Sequence, residues 1–499
     1  MHAGRYKCAV TLAALLLAGC ATEKAKQPVT NATASMPLWE VSTKSEEARA
    51  RIADGERLAD AGFQLAAHEQ FKHAVAADTA FAYAYLRYAE TSFSAAELAA
   101  YVARAEGHAA TANPTEKLLM LADRKGIDND IQGAIDVLKQ VVAANPTNPR
   151  GFVILGNTQL VAGQVAEGRA SFQKAIALAP TVGLPSLLLA SSYIFNEPKN
   201  FAEADKYAVA GQKLWPDEPL SYDAIGRVRR SQSRLDEAAA AYTREIELNP
   251  KESNGYSVRG NAYTFLGQYD KARADYDQAI RVSRPEEVPW NAGTKALITA
   301  YAGDWKGAIN ELDQVIQATA GMQTDDPNGP TIQNAAWAIV IALAHNAPDI
   351  AEKEYPKLEA AVNAQEAKAG SEGLTRFFNA NLAYGRGLIA VFKGDYPTTQ
   401  KSIDEIIKLR AADNDPTKDR SVHALRGYVA LFQKDYATAV SEFKQGDPND
   451  QSIRYYTAVA MEGAGKKPEA KALFQALANY NFTDGTYAAV RNMAIEKAQ

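Results

Sequence analysis

Four residue pairs between positions 219 and 285 recur at one offset. Tyr222 and Tyr256, Gly226 and Gly260, Ala238 and Ala272, and Tyr242 and Tyr276 are each 34 residues apart. A unit of that length buries too little apolar surface to stand alone, so it must stack on copies of itself. Within the second copy, Tyr256, Gly260 and Tyr263 fall at i, i+4 and i+7, one face of a helix. Gly267 breaks the pattern, and Ala272, Tyr276 and Ala279 form a second such face. Each unit therefore reads as two short helices joined by a turn. Small residues at Gly260, Ala272 and Ala279 let the helices approach closely, and the tyrosines fill the space between successive pairs.

The order of these residues (large, small four later, then Ala, aromatic, Ala and a closing Pro) resembles the tetratricopeptide repeat. The resemblance implies an all-α, right-handed superhelical solenoid, with the first helix of each pair lining a concave face. Carried along the chain, the register gives about twelve helix pairs and a C-terminal capping helix at 486–498. The copy at 149–180 keeps Phe152, Gly156, Gly163, Phe172, Ala175 and Pro180. Residues 47–319 read as an N-terminal array and 376–499 as a C-terminal array with its cap. Between them, 320–375 reads as an irregular loop and degenerate repeat, because AGMQTDDPNGPT and AQEAKAGSEGLT lack an apolar period.

The first residues have another logic. Arg5 and Lys7 precede a short apolar run from Ala9 to Gly19, the form of an export signal and too short to span a bilayer, which takes about 20 residues. Leu17-Ala18-Gly19-Cys20 resembles the bacterial lipobox. That resemblance implies removal of 1–19 as a lipoprotein signal peptide and acylation of Cys20. Ala21 after the cysteine implies the outer membrane, facing the periplasm, if the source is Gram-negative. Residues 20–46 are polar and Thr/Ala/Ser-rich and read as a flexible tether, with Trp39 as its exception.

Catalytic and metal motifs do not stand out. There is no GxSxG, no Gly-rich phosphate loop and no HExxH. The only cysteines are Cys8 and Cys20, so the rest of the chain holds no disulfide or thiolate metal site. His68 and His73 are five apart, on different helical faces, and read as packing or surface histidines. Asp325 and Asp326 read as solvated loop acids, and Asp236 and Glu237 as acids at the positive end of a helix dipole. A net charge of −5 disfavours nucleic acid as the main partner. The expectation is a protein that is not an enzyme and needs no cofactor or metal.

What remains is a binding groove. By the family pattern, the inward positions are Asn157, Arg227, Arg230, Asn261, Phe265, Trp290 and Tyr301 in the first array. In the second they are Tyr384, Phe392, Tyr428, Phe432 and Tyr455. The first set suits a peptide or anion, and the second an apolar helix or a sugar chain. Asn157 and Asn261 match the asparagine of the family's carboxylate clamp, but Val153 and Ser257 stand where its lysine belongs, so the clamp is incomplete. The reading is a lipid-anchored scaffold for envelope proteins, of the kind that assists a secretion, pilus or polysaccharide-export machine. The alternative is a binding module for an exported polysaccharide that uses the aromatic second set.

Overall fold

The computed structural model describes residues 35–499 apart from 93, 94, 323, 325 and 369. Cys20, the signal segment 1–19 and Asp325 lie outside the described residues. Among those described, the chain forms 25 helices and no strands. The first six pairs are α1 (Glu46–Asp60) with α2 (Gln64–Ala77), α3 (Ala82–Glu90) with α4 (Ala95–Gly107), and α5 (Pro114–Ile127) with α6 (Ile131–Ala144). Then come α7 (Pro149–Val161) with α8 (Val165–Leu178), α9 (Leu184–Phe195) with α10 (Phe201–Leu214), and α11 (Pro219–Ser231) with α12 (Leu235–Leu248). The next pairs are α13 (Ser253–Phe265) with α14 (Tyr269–Val282), α15 (Val288–Tyr301) with α16 (Trp305–Thr319), and α17 (Gly329–Ala344) with α18 (Pro348–Glu366). The last are α19 (Glu372–Phe392) with α20 (Tyr396–Arg410), α21 (Arg420–Phe432) with α22 (Tyr436–Phe443), and α23 (Gln451–Gly463) with α24 (Lys467–Ala478), followed by α25 (Gly485–Ala498). Twelve pairs and a final helix match the count drawn from the repeat.

The Gly-aromatic spacing explains the pairing. A β-carbon on Gly226 of α11 would fall 2.2 Å from the Tyr242 ring of α12. The same sixteen-residue relation joins Gly55 to Phe71, Gly156 to Phe172 and Gly427 to Phe443. The missing side chain on one helix is thus the socket for the ring on the next. The turn between the helices of a pair repeats as well. One residue there has positive φ: Gly163 (78°), Gly303 (104°) and Gly394 (76°), and also Ser233 (58°) and Lys434 (65°). Aspartates often follow and cap the second helix, as Asp304, Asp395 and Asp435 do for α16, α20 and α22.

The described residues form two compact units. One runs to Ala262 and includes Ala274–Val288; the other comprises Tyr263–Arg273 and Pro289–Gln499. The division therefore does not fall at 320–375. Within that stretch, read as an irregular loop and a degenerate repeat, α17 and α18 form a helix pair. Helices α17, α18 and α19 have 16, 19 and 21 residues, longer than the 13 or 14 of α11 to α14, which is why the 34-residue register fails there.

Residues 35–45 also differ from the expected tether. Met36, Trp39 and Thr43 are buried, and Trp39 lies against Gly151 of α7. The segment runs as a strap along the starts of α5 and α7. The amide of Ser42 donates to Glu116 of α5 (2.9 Å), and Asn113 Nδ2 donates to the Glu40 carbonyl (2.6 Å). Asn148 Nδ2 reaches the Pro37 and Leu38 carbonyls, and Arg150 Nη2 reaches that of Met36 (3.3 Å). The strap satisfies its backbone with side chains from distant repeats, as an extended segment outside a sheet must.

Candidate interaction surfaces

The first unit places its inner polar residues in pairs of its own. A buried ionic cluster joins α1, α3 and α7. Arg150 donates to Glu56 (2.7 Å) and to both oxygens of Asp60 (2.9 Å each), while Tyr83 donates its hydroxyl to Glu56 (2.7 Å). Arg87 completes the cluster on Glu56. Burial pushes the Glu56 carboxyl up, but Arg150 and Arg87 outweigh it and hold Glu56 below its ordinary range. For Asp60 burial prevails, and its carboxyl is raised.

The predicted groove positions of this unit are largely engaged. Arg227 Nε donates to Asp223 (2.6 Å) one helical turn away. Arg230 is buried beside the Tyr242 and Tyr276 hydroxyls. Asn261 accepts the Tyr276 hydroxyl proton (2.7 Å) and so holds a packing ring in place. Asn157 is half-buried. Arg227 moreover lies in a cleft with Asp223, Glu245 and Glu252, where carboxyls outnumber it. The surroundings of Arg227 are thus rich in acids.

In the second unit, α25 and the residues before it lie against two of the expected groove positions, Phe265 and Tyr301. The Tyr301 hydroxyl donates to the Asp484 carbonyl (3.0 Å) and accepts the Asp484 amide (3.2 Å), just before α25. Phe265 meets Tyr301 and Tyr487 with ring centroids 5.2 and 5.9 Å apart. Gly485 sits so close to Trp337 of α17 that a β-carbon would lie 2.1 Å from its ring. The final helix packs through Tyr487, Val490 and Ala494, which are buried. Trp290 is half-buried.

The C-terminal set divides into core and surface. Tyr384, Tyr428 and Tyr455 are buried, Phe392 is half-buried, and Phe432 is 38% exposed. Phe392 and Phe432 end α19 and α21 and meet edge to face at 5.0 Å. Tyr456 of α23, which the repeat register passed over in favour of Tyr455, joins them over Tyr428, 5.9 Å from Phe392 and 5.1 Å from Tyr428. These rings form one ridge across three consecutive pairs.

His68 and His345 pack, while His73 is exposed. His68 is buried, 2.8 Å from the Thr91 hydroxyl and stacked on Tyr88 at 4.2 Å. Burial, then the charge of Lys72, lowers its pKa to about 4. His345 stacks on Trp305. Asp326 caps α17 by accepting from the Gly329 amide (2.9 Å). Among the described residues, no group of three His, Cys, Asp or Glu side chains is placed to hold a metal ion. None of the described helices is long and apolar enough to cross a membrane.

Residues 119–182 and 254–285 match family models described as tetratricopeptide repeat. These stretches are similar to tetratricopeptide repeats. The chain is 29% identical over 218 residues to Cellulose synthase operon protein C of Xanthomonas axonopodis pv. citri, covering 40% of this chain and 13% of that protein. It is 24% identical over 243 residues to Hsp70-Hsp90 organizing protein 3 of Arabidopsis thaliana, covering 46% and 42%. The chain thus spans less than half the length of either relative. Among solved structures, MamA is similar at 25% identity and a TM-score of 0.28, over 32% of this chain and 93% of that one. The Cut9-Hcn1 structure of the APC/C aligns at 13% identity and a TM-score of 0.41, over 88% and 78%.

Proposed function

We propose that this chain is a non-enzymatic scaffold that holds a partner protein on the ridge of Phe392, Phe432 and Tyr456. Tetratricopeptide repeats serve protein–protein contact, and the ridge is where this chain offers aromatic surface to a partner. The carrying observation is Phe432, a large apolar ring 38% exposed and backed by two partly covered rings. Burying one such ring contributes about 1.5–3 kcal/mol, and aromatic anchors of this kind dominate interface energetics. In this reading, acylated Cys20 holds the scaffold at the envelope, at the outer membrane and facing the periplasm of a Gram-negative cell. Its partners are then envelope proteins, with assembly of a secretion, pilus or export machine as the setting.

A photoreactive residue at position 432 of the full chain, expressed in its source cells, tests the ridge. One recurrent protein adduct is expected, and Phe432→Ser should abolish co-purification of that protein. Undiminished co-purification with Phe432→Ser would refute the assignment. For the anchor, Cys20→Ser should shift the chain from the membrane to the soluble fraction; retention on the membrane would exclude the lipid as the tie.

A further inference from the structure

A second site lies in the first unit, apart from the ridge, and stands or falls independently of it. The turn after α1 meets α11 and the start of α13, and between them is a cleft lined by Phe63, Asp223, Arg227, Glu245, Glu252 and Asn254. Asp223 and Glu245 are 3% and 6% exposed. Arg227 occupies one oxygen of Asp223, and Asn254 Nδ2 donates to one oxygen of Glu245 (2.8 Å). The other oxygen of each, Asp223 Oδ1 and Glu245 Oε2, is buried without a hydrogen-bond partner.

Buried carboxylate oxygens in native proteins are satisfied, because leaving one bare is unfavourable. Here two are bare within one cleft, and three acids face one guanidinium. The titration behaviour agrees. Burial, then Asp223, pushes the Glu245 carboxyl well up, and burial, then Glu287, raises Glu252 to about 8. The cleft is short of positive charge and of N–H donors. No three of its acids converge as metal ligands would. An organic cation with several spread donors meets the need better. A guanidinium carries five N–H donors in a plane and also stacks on aromatic rings, of which Phe63 offers one at the rim.

We infer that this cleft binds a guanidinium group, pairing it with the free oxygens of Asp223 and Glu245. The group could come from a free arginine-like molecule or from an arginine side chain of a polypeptide. Titration calorimetry of the full chain with arginine amide and with an arginine-centred tetrapeptide tests this, with the isosteric neutral citrulline amide as control. Binding by at least one arginine ligand and none by citrulline amide is expected. Asp223→Asn and Glu245→Gln should each weaken that binding about tenfold, as loss of one charge-assisted bond does. Binding near pH 7 should also release protons, seen as a dependence of the heat on buffer ionisation enthalpy, because the cation displaces protons from raised carboxyls. Tighter binding of the peptide assigns the source to a polypeptide, and equal binding to a small molecule. Absence of heat with both arginine ligands, binding of citrulline amide as tight as that of arginine amide, or unchanged affinity in a folded Glu245→Gln chain would overturn the inference.

Discussion

The Tyr242 ring occupies the position that a side chain on Gly226 would need, 2.2 Å from where its β-carbon would stand. Helices α11 and α12 are locked by that exchange of a missing group for a large one. Gly226→Ala should therefore destabilise the first unit by about 1–3 kcal/mol through overpacking, although alanine is the better helix former. Chemical denaturation reads the loss. If the variant equals or exceeds the parent in stability, the ring is not confined as described.

Arg150 is the hub of a buried cluster with Glu56 and Asp60. Arg150→Met strands the buried Asp60 carboxyl, while Glu56 keeps Arg87, and should cost about 3–5 kcal/mol. The double change Arg150→Met, Asp60→Asn removes the stranded charge and should recover a large part of it. A double variant no more stable than Arg150→Met would show that the hub acts through packing rather than charge.

His68 gives the first unit an acid-sensitive element. Its folded pKa is about 4 against an ordinary 6.5, so below pH 6.5 the unfolded chain takes up a proton that the folded chain refuses. Stability should fall as the pH drops from about 6.5 to 4, by up to about 3 kcal/mol. His68→Gln should flatten that segment of the stability–pH curve, measured as urea midpoints. An unchanged slope would assign the acid response to other groups.

Tyr301 separates packing from partner binding. Tyr301→Phe removes one hydroxyl and strands the amide and carbonyl of Asp484, so about 1–3 kcal/mol should be lost from the second unit. Faster hydrogen exchange in α25 would locate the loss. A Tyr301→Phe chain of parental stability that fails to bind its partner would instead return this residue to a ligand role.

Lys434 holds φ at 65°, where Gly163, Gly303 and Gly394 stand in other turns. Lys434→Gly should raise the melting temperature, by relief of about 1 kcal/mol of left-handed strain. A lower melting temperature would mean that the lysine side chain contributes more than the strain removes.

The helix pairs were legible because each rests on local signals: a glycine at the turn, and a glycine and an aromatic sixteen apart. The same period points Arg230, Phe265, Tyr301 and Tyr428 toward the inside of the array, but it does not tell whether another part of the chain lies upon them. Tyr487 and Asp484 cover Tyr301 from 183 residues away. Of the strap only Trp39 stood out in the sequence, since its carbonyls are held by Asn113, Asn148 and Arg150, residues that look like ordinary helix starts. The acidic cleft was hidden for the same reason. Asp223 and Glu245 come from neighbouring helices, and Phe63 from a turn far earlier in the chain.

The strap also sets a length. A linker free from Cys20 to Glu46 would span up to about 90 Å when fully drawn out. With the chain fastened at Met36, the fifteen residues between it and the cysteine can reach at most about 55 Å. A lipid on that cysteine would therefore confine the N-terminal unit to a shallow layer beside the bilayer.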